Sequence, residues 1–201
     1  MPVEALFPQA TAAIVTEAFL RVELSPPASF GDDSEQAQSA ALFYPDALRA
    51  CLEHSDWSFA STFQMLPEVT LPLGVTADTD LPHAYALPGD LVRLREVGSR
   101  ATRWRIDGTR LRADEPGPLR LRYTALIINE TSATSRFRQA LAADLALRLA
   151  PRWLGTASKI AELRQHAEDA LRIAARDDRA TASQATWHGG SAEDWGSAIA
   201  R

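Results

Sequence analysis

The sequence predicts an α+β fold, mainly a helical bundle with a small antiparallel β region and an extended C-terminal tail. Three observations carry that expectation. Apolar residues recur every three or four positions near both ends of the chain, and they alternate with arginine between Leu91 and Tyr123. After Arg179 the pattern gives way to Gly, Ser and isolated tryptophans. The expected organisation is residues 1–56 and 131–180 in helices, 57–130 in a β region with a long loop, and 181–201 in the tail.

Within Thr11–Val22, Ile14, Val15, Ala18, Phe19 and Val22 form one apolar stripe, and Pro26-Pro27 is expected to stop that helix. The second helix should open after Asp32 or Asp33, whose carboxylate can accept from a first-turn amide while Glu35 or Gln36 reaches back. Its buried face reads Ala37, Ala41, Tyr44, Leu48 and Cys51. Pro45 interrupts the pattern and removes a backbone donor, so two short segments are expected.

Met65–Pro88 contains Pro67, Pro72, Pro82, Pro88 and Gly74, which predicts a long surface loop. Alternation around Val92 and Leu94, around Trp104 and Ile106, and through Leu119, Leu121 and Tyr123 predicts strands. Asp107-Gly108 supplies a two-residue hairpin turn, and the whole reads as an antiparallel meander. Phe137, Leu141, Leu145 and Leu149 then mark a third helix ending at Pro151. A fourth starts near Thr156, with Ile160, Leu163, Ala167, Ala170, Leu171 and Ala174 on one face and a Glu168–Arg172 ion pair. Four helices around one core follow.

With 201 residues, 46% hydrophobic and 23% charged, the chain can bury one substantial core. No apolar run approaches the roughly 20 residues of a membrane span, and Met1–Ala13 lacks the charge and apolarity of a secretion signal, so a cytoplasmic site of synthesis is expected. The single cysteine, Cys51, excludes an internal disulfide or a cysteine cage. Lys159 is the only lysine.

Candidate chemistry is sparse. Cys51, His54 and Asp56 are close enough in sequence for a nucleophile and its base, but no oxyanion motif accompanies them. Glu162, His166 and Asp169 share a helical turn, as metal ligands would, and equally as solvated polar residues do. Gly189-Gly190 is no phosphate-loop fingerprint. The expectation is a protein without enzymatic activity, metal or cofactor, in which Cys51, Trp57 and Phe59 fill core space.

Charge is unevenly placed. Leu91–Tyr123 carries a formal +5 and the remainder of the chain −10. Arg93, Arg95, Arg103, Arg105, Arg110, Arg112, Arg120 and Arg122 fall on alternate strand positions, where they can share a face. Such a face either stays solvated and discourages edge association or docks on an acidic surface. Sequence-specific DNA binding is not expected from a chain of net charge −5. In the tail, Trp187, Trp195 and Ile199 are large apolar groups in a segment unable to make its own core, as in tails that order on a partner.

The order of motifs is the strongest functional signal. Ser25-Pro26-Pro27, Asp32-Asp33-Ser34-Glu35-Gln36-Ala37, a helix with Tyr44 and Leu48, Leu52 five residues before Trp57-Ser58-Phe59-Ala60, then Tyr85-Ala86-Leu87-Pro88-Gly89-Asp90-Leu91 and Leu121-Arg122-Tyr123 follow in sequence. This order resembles that of the head-to-tail connector adaptors of tailed bacteriophages, of the tail tubular protein A type. The resemblance covers nearly the whole chain. It implies a virion neck protein, a ring of about twelve copies between portal and tail protein, closed by two different surfaces on each subunit. It also implies a tail running along the portal, with Trp187, His188, Trp195 and Ile199 as docking residues. The eight arginines would then meet acidic helices of a neighbouring copy or an acidic tail protein, while DNA passes through the channel without being read. Two other readings remain open: a neck or tail-completion protein of a long-tailed phage or phage-like particle, and a cytoplasmic regulatory or ligand-binding helical domain.

Overall fold

The spacing of Phe137, Leu141, Leu145 and Leu149 does produce a helix, and that helix is the centre of the molecule. In the computed structural model, which describes residues 9–29, 32–71, 78–127 and 129–181, α3 spans Ser135–Trp153 and packs against each of the other helices: α1 (Gln9–Arg21), α2 (Glu35–His54) and α4 (Ala157–Thr181). Thr134 caps it, its hydroxyl accepting from the Phe137 amide at 3.2 Å. Alanines 140, 142, 143, 146 and 150 are buried beside the leucines, so small side chains let three helices approach different sides of α3. The class is α+β.

Proline was expected to break two helices and breaks neither. α2 runs unbroken through Pro45, and α3 continues past Pro151 to Trp153. Pro45 is solvent-exposed, while Ala37, Ala40 and Tyr44 before it and Ala47, Leu48, Cys51 and Leu52 after it stay buried. Packing on both sides holds the rod together. Pro151 sits in the last turn, where the Leu154 amide still closes on the Ala150 carbonyl at 2.7 Å. Ala40, rather than the expected Ala41, lies in the core. The cap of α2 is Ser34, whose Oγ accepts from the Ala37 amide at 3.2 Å, because Ser34 and not Asp33 directly precedes the first helical residue. α1 ends at Arg21, before the proline pair, where Glu23 takes a left-handed φ of 60° and the Leu24 amide returns to the Phe19 carbonyl at 3.0 Å. On α4, Arg172 pairs with Asp169 at 2.8 Å and not with Glu168.

The β region is two antiparallel sheets, not one meander. Strands β1 (Ser61–Leu66), β6 (Leu119–Ala125) and β3 (Leu91–Val97) form one in that order; β2 (His83–Ala86), β5 (Arg110–Ala113) and β4 (Trp104–Asp107) form the other. Only β4 and β5 are joined as a hairpin, and its turn is Gly108-Thr109, one residue later than expected, since Asp107 pairs with Arg110. Gly108, at φ 62°, takes the positive φ. The predicted long loop loses Met65 and Leu66 to β1 and His83–Ala86 to β2, because neither Pro67 nor Pro82 lies inside a ladder. Tyr85, Leu111 and Ala113 of one sheet share a buried cluster with Leu66, Val97, Leu119, Leu121 and Tyr123 of the other. The sheets thus enclose a second core, while Trp57, Ala60 and Val92 belong to the helical one.

Candidate functional site

The last carbonyls of a helix have no partner within it. At the end of α2 they are met by side chains arriving from the β region. Trp57 Nε1 donates to the Cys51 carbonyl at 2.9 Å, and Arg93 donates to that of Glu53 at 2.7 Å. Arg95 donates to the carbonyls of Leu52 and Ser55 and, through Nε, to Thr124 Oγ1 at 2.8 Å. Cationic guanidinium groups there also face the negative end of the helix dipole. Asp56, just beyond, receives Arg122 at 2.6 Å and lies 3.9 Å from Arg95. Burial lowers the Arg95 pKa from its ordinary value, an effect the Asp56 carboxylate opposes. The joint between helices and sheet is therefore made by arginines.

This geometry revises the expected single arginine face. Arg93, Arg95, Arg120 and Arg122 belong to the β1-β6-β3 sheet; Arg105, Arg110 and Arg112 belong to the other, with Arg103 just before β4. Most are answered within the chain. Arg103 pairs with Asp114 at 2.9 Å, Arg105 with Asp107 at 2.7 Å and Asp78 at 3.0 Å, and Arg120 and Arg122 with Glu96 at 3.5 and 3.1 Å. Hydrogen bonds from these arginines hold the Asp107 and Asp114 carboxyls below their ordinary range. The side chains of Arg95 and Arg112 are only 13% and 7% exposed and offer a partner little surface. Asp56 and Asp78 lie outside the Leu91–Tyr123 segment, which is why its local +5 overstated the free charge.

What remains outward is a mixed apolar and basic surface. Phe63 and Met65 stand 63% and 55% exposed on β1, an edge strand, opposite Arg122 and Arg120 in the ladder, and the Arg122 guanidinium lies 5.7 Å from the Phe63 ring centre. On the other sheet, Trp104 and Ile106 are half-exposed on edge strand β4, opposite buried Ala113 and Leu111. The helical side adds exposed Leu20 and Leu42.

The chemical candidates separate. Cys51 is buried, and burial pushes its thiol well above the usual range, so it is not poised as a nucleophile. His54 is exposed. His166 Nδ1 faces Arg21 at 3.1 Å in a cleft of about 270 Å³ that also includes Glu23, Lys159 and Glu162, whereas Asp169 bonds Gln165 and Arg172. Among the described residues no cluster suits a metal ion. Trp57 is fully buried, and Trp57 and Phe59 each meet Phe137 edge-on with ring centres 4.9 Å apart. The tail positions Trp187, His188, Trp195 and Ile199 lie outside the described residues.

Two features escaped the sequence reading. Glu130, in a short 3₁₀ turn, is 3% exposed and accepts from Tyr44 at 2.5 Å and Thr11 at 2.9 Å, tying α1, α2 and the approach to α3 together. Asp178 of α4, equally buried, receives the Ser58 amide at 2.8 Å and its hydroxyl at 2.7 Å. The only sequence signal for the second was a serine directly after Trp57.

Compared with known proteins, the sequence matches no family model and no curated protein.

Proposed function

We propose that this chain is a structural virion protein, one subunit of a ring of about twelve copies seated between the portal and the tail of a bacteriophage. It helps retain packaged DNA and provides the platform on which the tail assembles; catalysis and cofactors have no part in that role. The observation that carries the reading is the order of motifs together with their places at the joints of the fold. Trp57-Ser58-Phe59-Ala60 connects the helices to the first sheet, and Tyr85–Leu91 connects the second sheet back to the first. Both joints are anchored by hydrogen bonds: Trp57 donates to the end of α2, Tyr85 donates to the Glu115 carbonyl at 2.6 Å, and Asp90 accepts from the Tyr123 hydroxyl at 3.0 Å.

A closed ring needs two unlike, complementary surfaces on each subunit. The outward face of β1 and β6, with Phe63, Met65, Arg120 and Arg122, supports one of them, and the net-negative helical portion of the chain supports the other. In this reading the helices act as a bundle at the portal side, and the tail runs along the portal with Trp187, His188, Trp195 and Ile199 as its contacts. Locating and counting the chain in purified particles by electron microscopy tests the proposal. Twelve copies between portal and tail are expected. Absence from particles returns the chain to a cytoplasmic role, and a ring on a long-tailed particle makes it a neck or tail-completion protein.

A further inference from the structure

The strand arginines are largely answered from within the chain, but a second set is not. Arg172, Arg176 and Arg179 are exposed on α4 and, with His54 from the last turn of α2, line an open cleft of about 320 Å³. Their spacing of four and three residues places all three on one side of the helix, over about 10 Å of its length. Arg172 is paired with Asp169 at 2.8 Å, and Arg179 touches only the neutral Ser55 hydroxyl at 3.4 Å. Among the described residues neither Arg176 nor Arg179 forms an ion pair. The nearby Asp178 carboxylate is directed into the fold by Ser58, and Asp177 pairs with Arg136 at 3.3 Å. Among the described residues the cleft therefore keeps a positive charge without an ion-pair partner, on a chain of net charge −5.

We infer that this cleft binds the phosphodiester backbone of nucleic acid, without reading its sequence. Guanidinium groups recognise phosphate oxygens through paired hydrogen bonds, and a run of about 10 Å meets a strand that presents a charge every 3.4 Å or so along the duplex axis. An acidic protein partner is the other polyanion to weigh. Docking of a folded partner or peptide draws on buried aromatic or aliphatic anchors, and here Ala175 is the one apolar residue of the lining, itself buried. The shortness of this stripe limits the contact to a few phosphates, which suits a weak, sliding grip. The inference stands on the cleft and does not depend on the ring.

The test is fluorescence anisotropy of a short labelled duplex of arbitrary sequence titrated with the full chain. Two phosphate contacts, from Arg176 and Arg179, predict a roughly 12-fold loss of affinity between about 50 and 200 mM salt. Arg176→Gln, at an exposed position with no ion pair to lose, should weaken binding and reduce the logarithmic salt slope by about one; adding Arg179→Gln should reduce it further. Arg120→Gln on the sheet should leave binding unchanged. Competition by inorganic phosphate only at concentrations far above those of duplex phosphate identifies the polymer as the ligand. No duplex binding at low salt, binding lost through Arg120 but not Arg176, or a preference for polyglutamate over the duplex would each overturn the inference.

Discussion

Glu130 is a buried carboxylate that among the described residues is held by two hydroxyls and no cation, so removing either donor leaves an acceptor poorly satisfied in a low-dielectric site. Tyr44→Phe should cost about 1–3 kcal/mol in chemical denaturation, and its effect should fall well short of adding to that of Glu130→Leu, since both act on one network. A second prediction concerns alkali. Burial, reinforced by Glu68 and Glu115, pushes Tyr85 up to about 12, and burial with a hydrogen bond to Asp90 does the same for Tyr123. Unfolded tyrosine ionises near pH 10. Below that pH their contribution is complete; as pH rises from about 10 through 12 the unfolded chain loses protons the folded chain keeps, and stability falls. Denaturation midpoints measured across that range should decline, less steeply in Tyr85→Phe. Trp57 as a core residue was legible because a large aromatic sat between a helical and a strand pattern. Glu130 was not, because a glutamate in a polar loop looks the same in sequence whether solvent or two hydroxyls surround it.

At the level of elements, the helices were readable from their period and their interruptions were misread. Pro45 carries a local penalty that burial of α2 against α3 outweighs, while Pro151 falls in the last turn of α3, and local sequence does not record how much neighbouring surface a helix will cover. Alternation placed β3, β4 and β6, whereas β2 and the end of β1 were read as loop, and the pairing was not legible: β1 and β3 both join β6, contacts between distant segments that no turn signal encodes. The arginines were visible as a group, whereas their division into capping and outward residues depended on where α2 ends. Their unequal roles give a paired prediction. Arg95→Met strips donors from the Leu52 and Ser55 carbonyls and from Thr124, and should destabilise by about 1–3 kcal/mol. Arg105→Met, which removes only exposed ion pairs to Asp107 and Asp78, should cost less than about 1 kcal/mol. Urea denaturation of the two variants checks the difference, and equal losses would remove the capping role.

For the whole molecule, two cores are joined by a cationic seam, and among the described residues each side of the seam carries exposed apolar side chains. The adaptor reading proposed above would account for that arrangement through assembly, with these outward surfaces meeting other copies. The motifs that suggested it were legible in the sequence, but the partners that this reading requires are not encoded in one chain. The direct measurement is electron microscopy of purified particles, resolving the neck and fitting this chain into it. The account predicts twelve copies between portal and tail, with Phe63 and Met65 against a neighbouring copy and Trp187 and Trp195 against the portal. Particles whose neck density contains no copy of this chain would contradict it.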